Sequence, residues 1–160
     1  EADAAHFQLI DCIITGTDDG IHAKDLPNNI LIDGCTIFGC SGSGDLGISS
    51  ETGAGTGTLL NWVIQNCDFQ GNAGHITAPF SSATIRNNKF SYIYGAVTST
   101  TQVVLTSGAN NSVYNNHFDV PATTNGLTAM FALGTNDRWG PNMFSTAIAT
   151  TIFSYGAPTS

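Results

Sequence analysis

A chain of 160 residues, 41% of them hydrophobic, is one domain's worth of sequence and can bury a real core. Twelve carboxylates against four Lys and Arg give a net charge of −8, which argues against nucleic acid or an anionic membrane as partner, since both require a basic face. No apolar run approaches the ~20 residues of a membrane span, and 18 Gly among many Ser, Thr and Asn, with 10% charged residues, reads as all-β.

In chain order, a short polar lead-in (residues 1–6) gives way to His6-Phe-Gln-Leu-Ile-Asp-Cys-Ile-Ile14, the first copy of a repeat. It returns as Asn29-Ile-Leu-Ile-Asp-Gly-Cys-Thr-Ile-Phe-Gly39, Asn61-Trp-Val-Ile-Gln-Asn-Cys-Asp-Phe69 and Ser82-Ala-Thr-Ile-Arg-Asn-Asn-Lys-Phe90. Weaker copies follow at Asn111-Ser-Val-Tyr-Asn-Asn-His-Phe118 and Asp137-Arg-Trp-Gly-Pro-Asn-Met-Phe144. The anchors Cys12, Cys35, Cys67, Asn88, Asn116 and Asn142 are separated by 23, 32, 21, 28 and 26 residues, a period with variable insertions that marks a solenoid.

Three residues before each anchor stand Leu9, Ile32, Ile64, Ile85, Val113 and Trp139; two residues after it stand Ile14, Ile37, Phe69, Phe90, Phe118 and Phe144. A third apolar row, 9–13 residues after the anchor, is expected at Ile21, Ile48, Ile76, Val97 and Leu127. Three inward rows with polar residues alternating between them predict three short strands per coil and about six coils, a parallel β-helix. The residue before the anchor is Asp11, Gly34, Asn66, Asn87, Asn115 or Pro141. All but the last tolerate φ > 0, so a left-handed corner is expected there. Asn88, Asn116 and Asn142 then face inside and can pass amide hydrogen bonds from coil to coil.

Cys12, Cys35 and Cys67 share one repeat position, which suggests a stack of buried thiols rather than a disulfide framework, although adjacent coils bring Cys12 and Cys35 within bonding reach. Cys40 fits either core or loop. The longest insertion, Gly39 to Thr58, carries Asp45 and Glu51, and coil five extends through Val120–Asn125. Because the chain starts at Glu1, the single domain over residues 1–160 is expected to be a fragment or processed form of a longer protein.

The candidate chemistry gathers on the third row. Stacking places Asp18 about 5 Å from Asp45, with Asp19, His22 and His75 nearby. Two close carboxylates and a histidine can perform acid–base work, as in glycoside hydrolysis. Asp–Gly turns explain the same residues without chemistry. Tyr92 and Tyr94 are candidates for stacking on sugar rings, with Glu51 as a further binding residue. Two outward faces, Ile10, Asp33, Gln65, Arg86, Tyr114 and Ile13, Thr36, Asp68, Lys89, His117, Met143, mix polar and apolar residues in the manner of a subunit interface. No Cys/His metal site is expected, and no cofactor beyond calcium, which Asp- and Gly-rich loops could ligate.

From about Phe7 to Phe144 the repeat resembles the right-handed β-helix superfamily of pectate lyases, polygalacturonases and phage tailspikes. Within it, Thr17-Asp-Asp-Gly-Ile21 resembles a fragment of the polygalacturonase acid pattern, but no second Asp-Asp, Gly-His-Gly or Arg-Ile-Lys follows. The resemblance implies a homotrimer, as fibrous viral β-helices commonly form, and a virion location alongside other virion proteins. A trimeric spike, fibre or capsid-decoration module that contacts cell-surface polysaccharide is the leading expectation. A polysaccharide hydrolase or lyase using Asp18, Asp45 and His22 is the alternative. A secreted or cell-surface adhesin or carbohydrate-binding module is the third.

Overall fold

A computed structural model of the chain describes residues 5–16, 18–24, 27–42, 45–50, 58–91, 102–106, 108–119, 128–132, 136–144 and 151–155. Every regular element in it is a strand, and the strands fall into six coils. Coil one holds β1 (Ala5–Ile10), β2 (Ile13–Thr15) and β3 (Ile21–Ala23); coil two holds β4 (Asn28–Asp33), β5 (Thr36–Phe38) and β6 (Leu46–Ser50). Coil three runs β7 (Leu59–Leu60), β8 (Val63–Gln65), β9 (Asp68–Gln70), β10 (Gly74–Ala78), and coil four β11 (Phe80–Ser81), β12 (Thr84–Arg86), β13 (Lys89–Ser91), β14 (Gln102–Thr106). Coil five contributes β15 (Ser112–Tyr114), β16 (His117–Asp119) and β17 (Thr128–Ala132); coil six contributes β18 (Arg138–Trp139), β19 (Met143–Phe144) and β20 (Thr151–Tyr155).

Equivalent strands pair in parallel to build three six-stranded sheets, with β7 and β11 as a short extra pair. In the first sheet Leu9, Ile32, Ile64, Ile85, Val113 and Trp139 are in register. In the second, Ile14, Ile37, Phe69, Phe90, Phe118 and Phe144 are. Both rows match the sequence expectation residue by residue. The last four rings of the second row form a column with centroids 5.0, 5.0 and 5.2 Å apart, so the aromatic contacts run along the solenoid axis.

The third sheet departs from expectation beyond coil three. Ile21, Ile48 and Ile76 align, but the next residues in register are Val104, Met130 and Phe153, not Val97 and Leu127. Val97 and Leu127 themselves lie outside the described residues. The residues in register with His22, Ser49 and Thr77 are therefore Leu105 and Phe131 rather than Thr98 and Thr128, and Ser49, expected to face outward, is buried. The cause is loop length: coil four takes 16 residues from its anchor Asn88 to Val104, whereas coil three takes 9 from Cys67 to Ile76. Extra residues between the second and third sheets cost only loop entropy, which grows slowly with length.

The corners explain why the first two sheets are so regular. Asp11, Gly34, Asn66, Asn87 and Asn115 all adopt positive φ, between 52° and 66°. A second series stands five residues earlier in each coil: His6, Asn29, Asn61, Ser82, Asn110 and Asn136, at 57–69°. In the first five coils two left-handed corners five residues apart leave room for one short strand of the first sheet; in the sixth, Pro141 takes the place of the second corner.

At the later corners a backbone amide turned inward is satisfied by a stacked side chain of the next coil. Asn116 Oδ1 accepts the backbone N–H of Asn88 at 3.0 Å, while its Nδ2 donates to Ile85 O at 3.0 Å; Asn142 serves Asn116 in the same way. Asn88 in turn caps the N–H of Cys67 at 2.9 Å. At the other corner Asn111 Oδ1 accepts from Ala83 N–H and Asp137 Oδ1 from Asn111 N–H. Burial pushes the Asp137 carboxyl up in pKa although the Asn111 bonds oppose it, and Oδ2 has no partner among the described residues. All four cysteines are free thiols; Cys35, Cys67 and Cys40 are buried and Cys12 half-buried, so Cys40 belongs to the interior.

Replacing Asn116 by Ala strips the Asn88 amide of its acceptor and Ile85 O of its donor at a buried site. The expected loss is about 3 kcal/mol of unfolding free energy, measured by urea denaturation, with Asn115→Gly as a mild control.

Candidate functional site

The first candidate site grows from the Asp-Asp-Gly turn that leads into β3. Gly20 is required there: its N–H donates to Leu46 O at 3.0 Å. A Cβ on it would stand 2.8 Å from Gly47 O and 2.9 Å from Ile37 Cγ2. This close seating of coil one on coil two carries Asp19 across to β6. Its Oδ1 accepts the Leu46 N–H at 2.8 Å, and its Oδ2 accepts the Ser49 hydroxyl. His22 Nδ1 lies 3.0 Å from the same Oδ2 and 2.7 Å from Ser49 Oγ.

Proton counting decides what this triangle can do. Oδ2 is acceptor only, the serine hydroxyl donates to it, and Nδ1–H completes the set by donating toward Oδ2 and Oγ. Asp19 and Ser49 thus face the same ring nitrogen. A nucleophile–base–acid relay needs them on opposite nitrogens. Burial alone would raise the Asp19 pKa, but hydrogen bonds from Ser49, the Leu46 amide and His22 outweigh it and hold the carboxyl below its ordinary value. Asp19 is therefore ionised at neutral pH and cannot serve as a proton donor. The arrangement fits a polar clasp between coils.

Of the other expected residues, Ile21 and Ile48 are in register, so Asp18 and Asp45 do stand at the entries of neighbouring strands. Asp18 is exposed, Asp45 half-buried with its backbone N–H on Gly42 O, and Asp19 rather than Asp18 reaches across the coils. His75 points away from them into the interior. It is fully buried beside the stacked Phe69 and Phe90 rings, its centroid 6.0 and 5.8 Å from theirs, with Nδ1 beside Asn72 Nδ2 and Nε2–H donating to Ser91 O at 2.8 Å. Gly47 lets this coil seat closely, since a Cβ on it would press on His75 O, Asn72 and Phe69. His75, expected as a binding residue near Asp19, is an interior residue. Glu51, Tyr92 and Tyr94 lie outside the described residues.

Arg86 and Tyr114 form a second constellation, on the outer face of the first sheet. Gln65 Nε2 donates to Asp33 Oδ2 at 2.7 Å, Arg86 Nε and Nη2 donate to Gln65 Oε1 at 2.9 and 2.7 Å, and Arg86 Nη1 donates to the Tyr114 hydroxyl at 3.2 Å. Asn66 Nδ2 adds a bond to Asp33 Oδ1, and these two amides hold the Asp33 carboxyl below its usual range. Lys89 and His117 follow in register on the second sheet, between Asp68 and Met143. Gln65 was expected on this face beside Arg86, whereas Ser49 and Asn66 were not expected as site residues; the register of Ser49 with His22 and the place of Asn66 beside Gln65 are the signals that find them. Among the described residues, no three His, Cys, Asp or Glu gather where they could hold a metal ion.

A three-sheet parallel solenoid with stacked polar corners defines a β-helix domain. The chain belongs to the family described as right handed beta helix region, which matches residues 2–136 and so covers most of its length. Neither the curated proteins nor the solved structures contain a significant match.

Two outcomes follow. Burial lowers the His75 pKa from 6.5 to about 4, with the Ser91 bond opposing. The unfolded chain gains a proton below pH 6.5 that the fold refuses. Stability is therefore full above 6.5 and falls by about 3 kcal/mol on the way to pH 4. Urea midpoints across that range measure it, and His75→Gln flattens the curve. Separately, Asp19→Ala uncaps the Leu46 amide and is expected to cost about 1–2 kcal/mol in urea denaturation, with a smaller loss on His22→Ala.

Proposed function

We propose that this β-helix is a non-catalytic structural module of a virion, a spike, fibre or capsid-decoration element that works as a homotrimer and contacts other virion proteins or cell-surface polysaccharide. The supporting observation is a pair of exposed isoleucines flanking the corner between the first and second sheets. Ile10 is 50% and Ile13 76% exposed, although both sit on outward rows that are otherwise largely polar. Met143, 65% exposed, stands at the far end of the Ile13 row. Exposed apolar side chains clustered at one corner suit association with copies of the chain about a shared axis. Arg86, Lys89, Tyr114 and His117 would line the flanks of that contact.

Charge and chemistry support the same reading. Asp19 has its lone pairs taken by coil-to-coil bonds, and Arg86 is held by Gln65 and Tyr114, so neither group is prepared for a sugar. The competing enzyme uses Asp18, Asp45 and His22 on a polysaccharide, and a cell-surface adhesin would bind glycan without turnover.

Light-scattering mass of the purified chain together with a reducing-sugar assay on a polysaccharide panel separates the three. The expected result is a trimer without sugar release, reduced to monomer by Ile13→Asp. A monomer that releases sugar, and stops when Asp18 or Asp45 becomes Asn, overturns the proposal. A monomer that retains glycan without cleaving it points to the adhesin.

A further inference from the structure

The three anchor cysteines form a column graded in access. Thr36 N–H donates to Cys12 O and Asp68 N–H to Cys35 O, both at 2.9 Å, which places the three residues on successive rungs. Rungs of a parallel sheet are ~4.8 Å apart, inside the ~4.4–6.8 Å Cα separation that a disulfide spans. Each inner thiol stands between a carbonyl of its own coil and one of the preceding coil: Cys35 Sγ lies 3.4 Å from Asp33 O and 3.6 Å from Leu9 O, and Cys67 Sγ 3.0 Å from Gln65 O and 3.8 Å from Ile32 O. Cys12 is half-buried, whereas Cys35 and Cys67 are 1% and 2% exposed.

Bridging also requires the Cβ atoms to close to ~3.8 Å. Among the described residues β1, β2 and β3 pair with coil two alone, so closing Cys12 onto Cys35 moves one coil interface, whereas closing Cys35 onto Cys67 strains interfaces on both sides. Burial supports the same gradient, raising the Cys35 pKa and pushing Cys67 up to about 12.

We propose that Cys12 and Cys35 are a redox staple: a small-molecule disulfide such as oxidised glutathione converts them to an intramolecular disulfide that ties the first coil to the second, while Cys67 and Cys40 stay reduced. Cys12, the accessible thiol, attacks oxidised glutathione, giving a Cys12–glutathione mixed disulfide and releasing one glutathione thiol. Cys35 then attacks the Cys12 sulfur, its proton passing to the departing glutathione sulfur, so that the protein disulfide forms and the second glutathione thiol is released. Two protein thiols are oxidised and one glutathione disulfide is reduced. The bond closes a loop between residues 23 apart in sequence and secures the coil that carries Ile10 and Ile13.

The test incubates the folded full chain with oxidised glutathione, alkylates the remaining thiols in acid, maps the peptides by mass and follows thermal unfolding. The expected product is a Cys12–Cys35 bridge with an unfolding midpoint raised by about 5–10 °C, reversed by reductant. Cys35→Ala is expected to accumulate the glutathione adduct on Cys12 without that rise, and Cys67→Ala to behave as wild type. A lasting adduct on wild-type Cys12, a Cys35–Cys67 bridge, a dimer linked through Cys12 or four unreacted thiols would overturn the proposal.

Discussion

Turning the chain at the same point in every coil is the constraint from which the rest of this molecule follows. A corner breaks the strand, and the broken strand leaves amide and carbonyl groups facing a dry interior, where each unpaired group costs about 1–3 kcal/mol. The solution is a side chain short enough to stay at the corner and polar enough to serve the next rung. Asn88, Asn116 and Asn142 do so at one corner, and Asn111 with Asp137 at the other. Once those bonds set the register, the apolar rows have no choice of neighbour. The column of phenylalanine rings is a consequence of the corners as much as of hydrophobicity.

That constraint also explains what could be read from sequence. The two rows flanking the anchor were legible because corners five residues apart fix the number of residues between them. The third row has no such ruler. Its residues follow the anchors by 9, 13, 9, 16, 14 and 11 positions, and Val97 satisfied the local pattern as well as Val104 did. The second series of left-handed corners was visible in Asn29, Asn61, Asn110 and Asn136 once aligned five residues ahead of the first. Ser82, an unusual residue for that conformation, and His6, the one histidine of the series, obscured it.

The acidic turn shows the limit from another direction. Spacing placed Asp18, Asp19, His22 and Asp45 in one neighbourhood, and the neighbourhood is real. Which carboxylate turns across the gap depends on Gly20 sitting against Gly47 O, a packing detail that no spacing records. His75 likewise sits in the core where Gly47, on the rung below and without a side chain, lets the coils seat closely. In both cases an absent side chain on one coil decided the role of a present one on the next.

The change from sulfur to amide between Cys67 and Asn88 makes the two ends of the column unlike in how they carry a disturbance. From Asn88 to Asn142 each rung holds the next by a directional bond, so a shift in one coil must be answered by its neighbour. From Cys12 to Cys67 the thiols reach backbone carbonyls instead, and the rungs are held by the backbone bonds from Thr36 N–H to Cys12 O and from Asp68 N–H to Cys35 O, with Asp19 fastening coil one to coil two from another side. A substitution among the amides is therefore felt at two rungs at once, whereas one among the thiols leaves the backbone ladder of its neighbours intact.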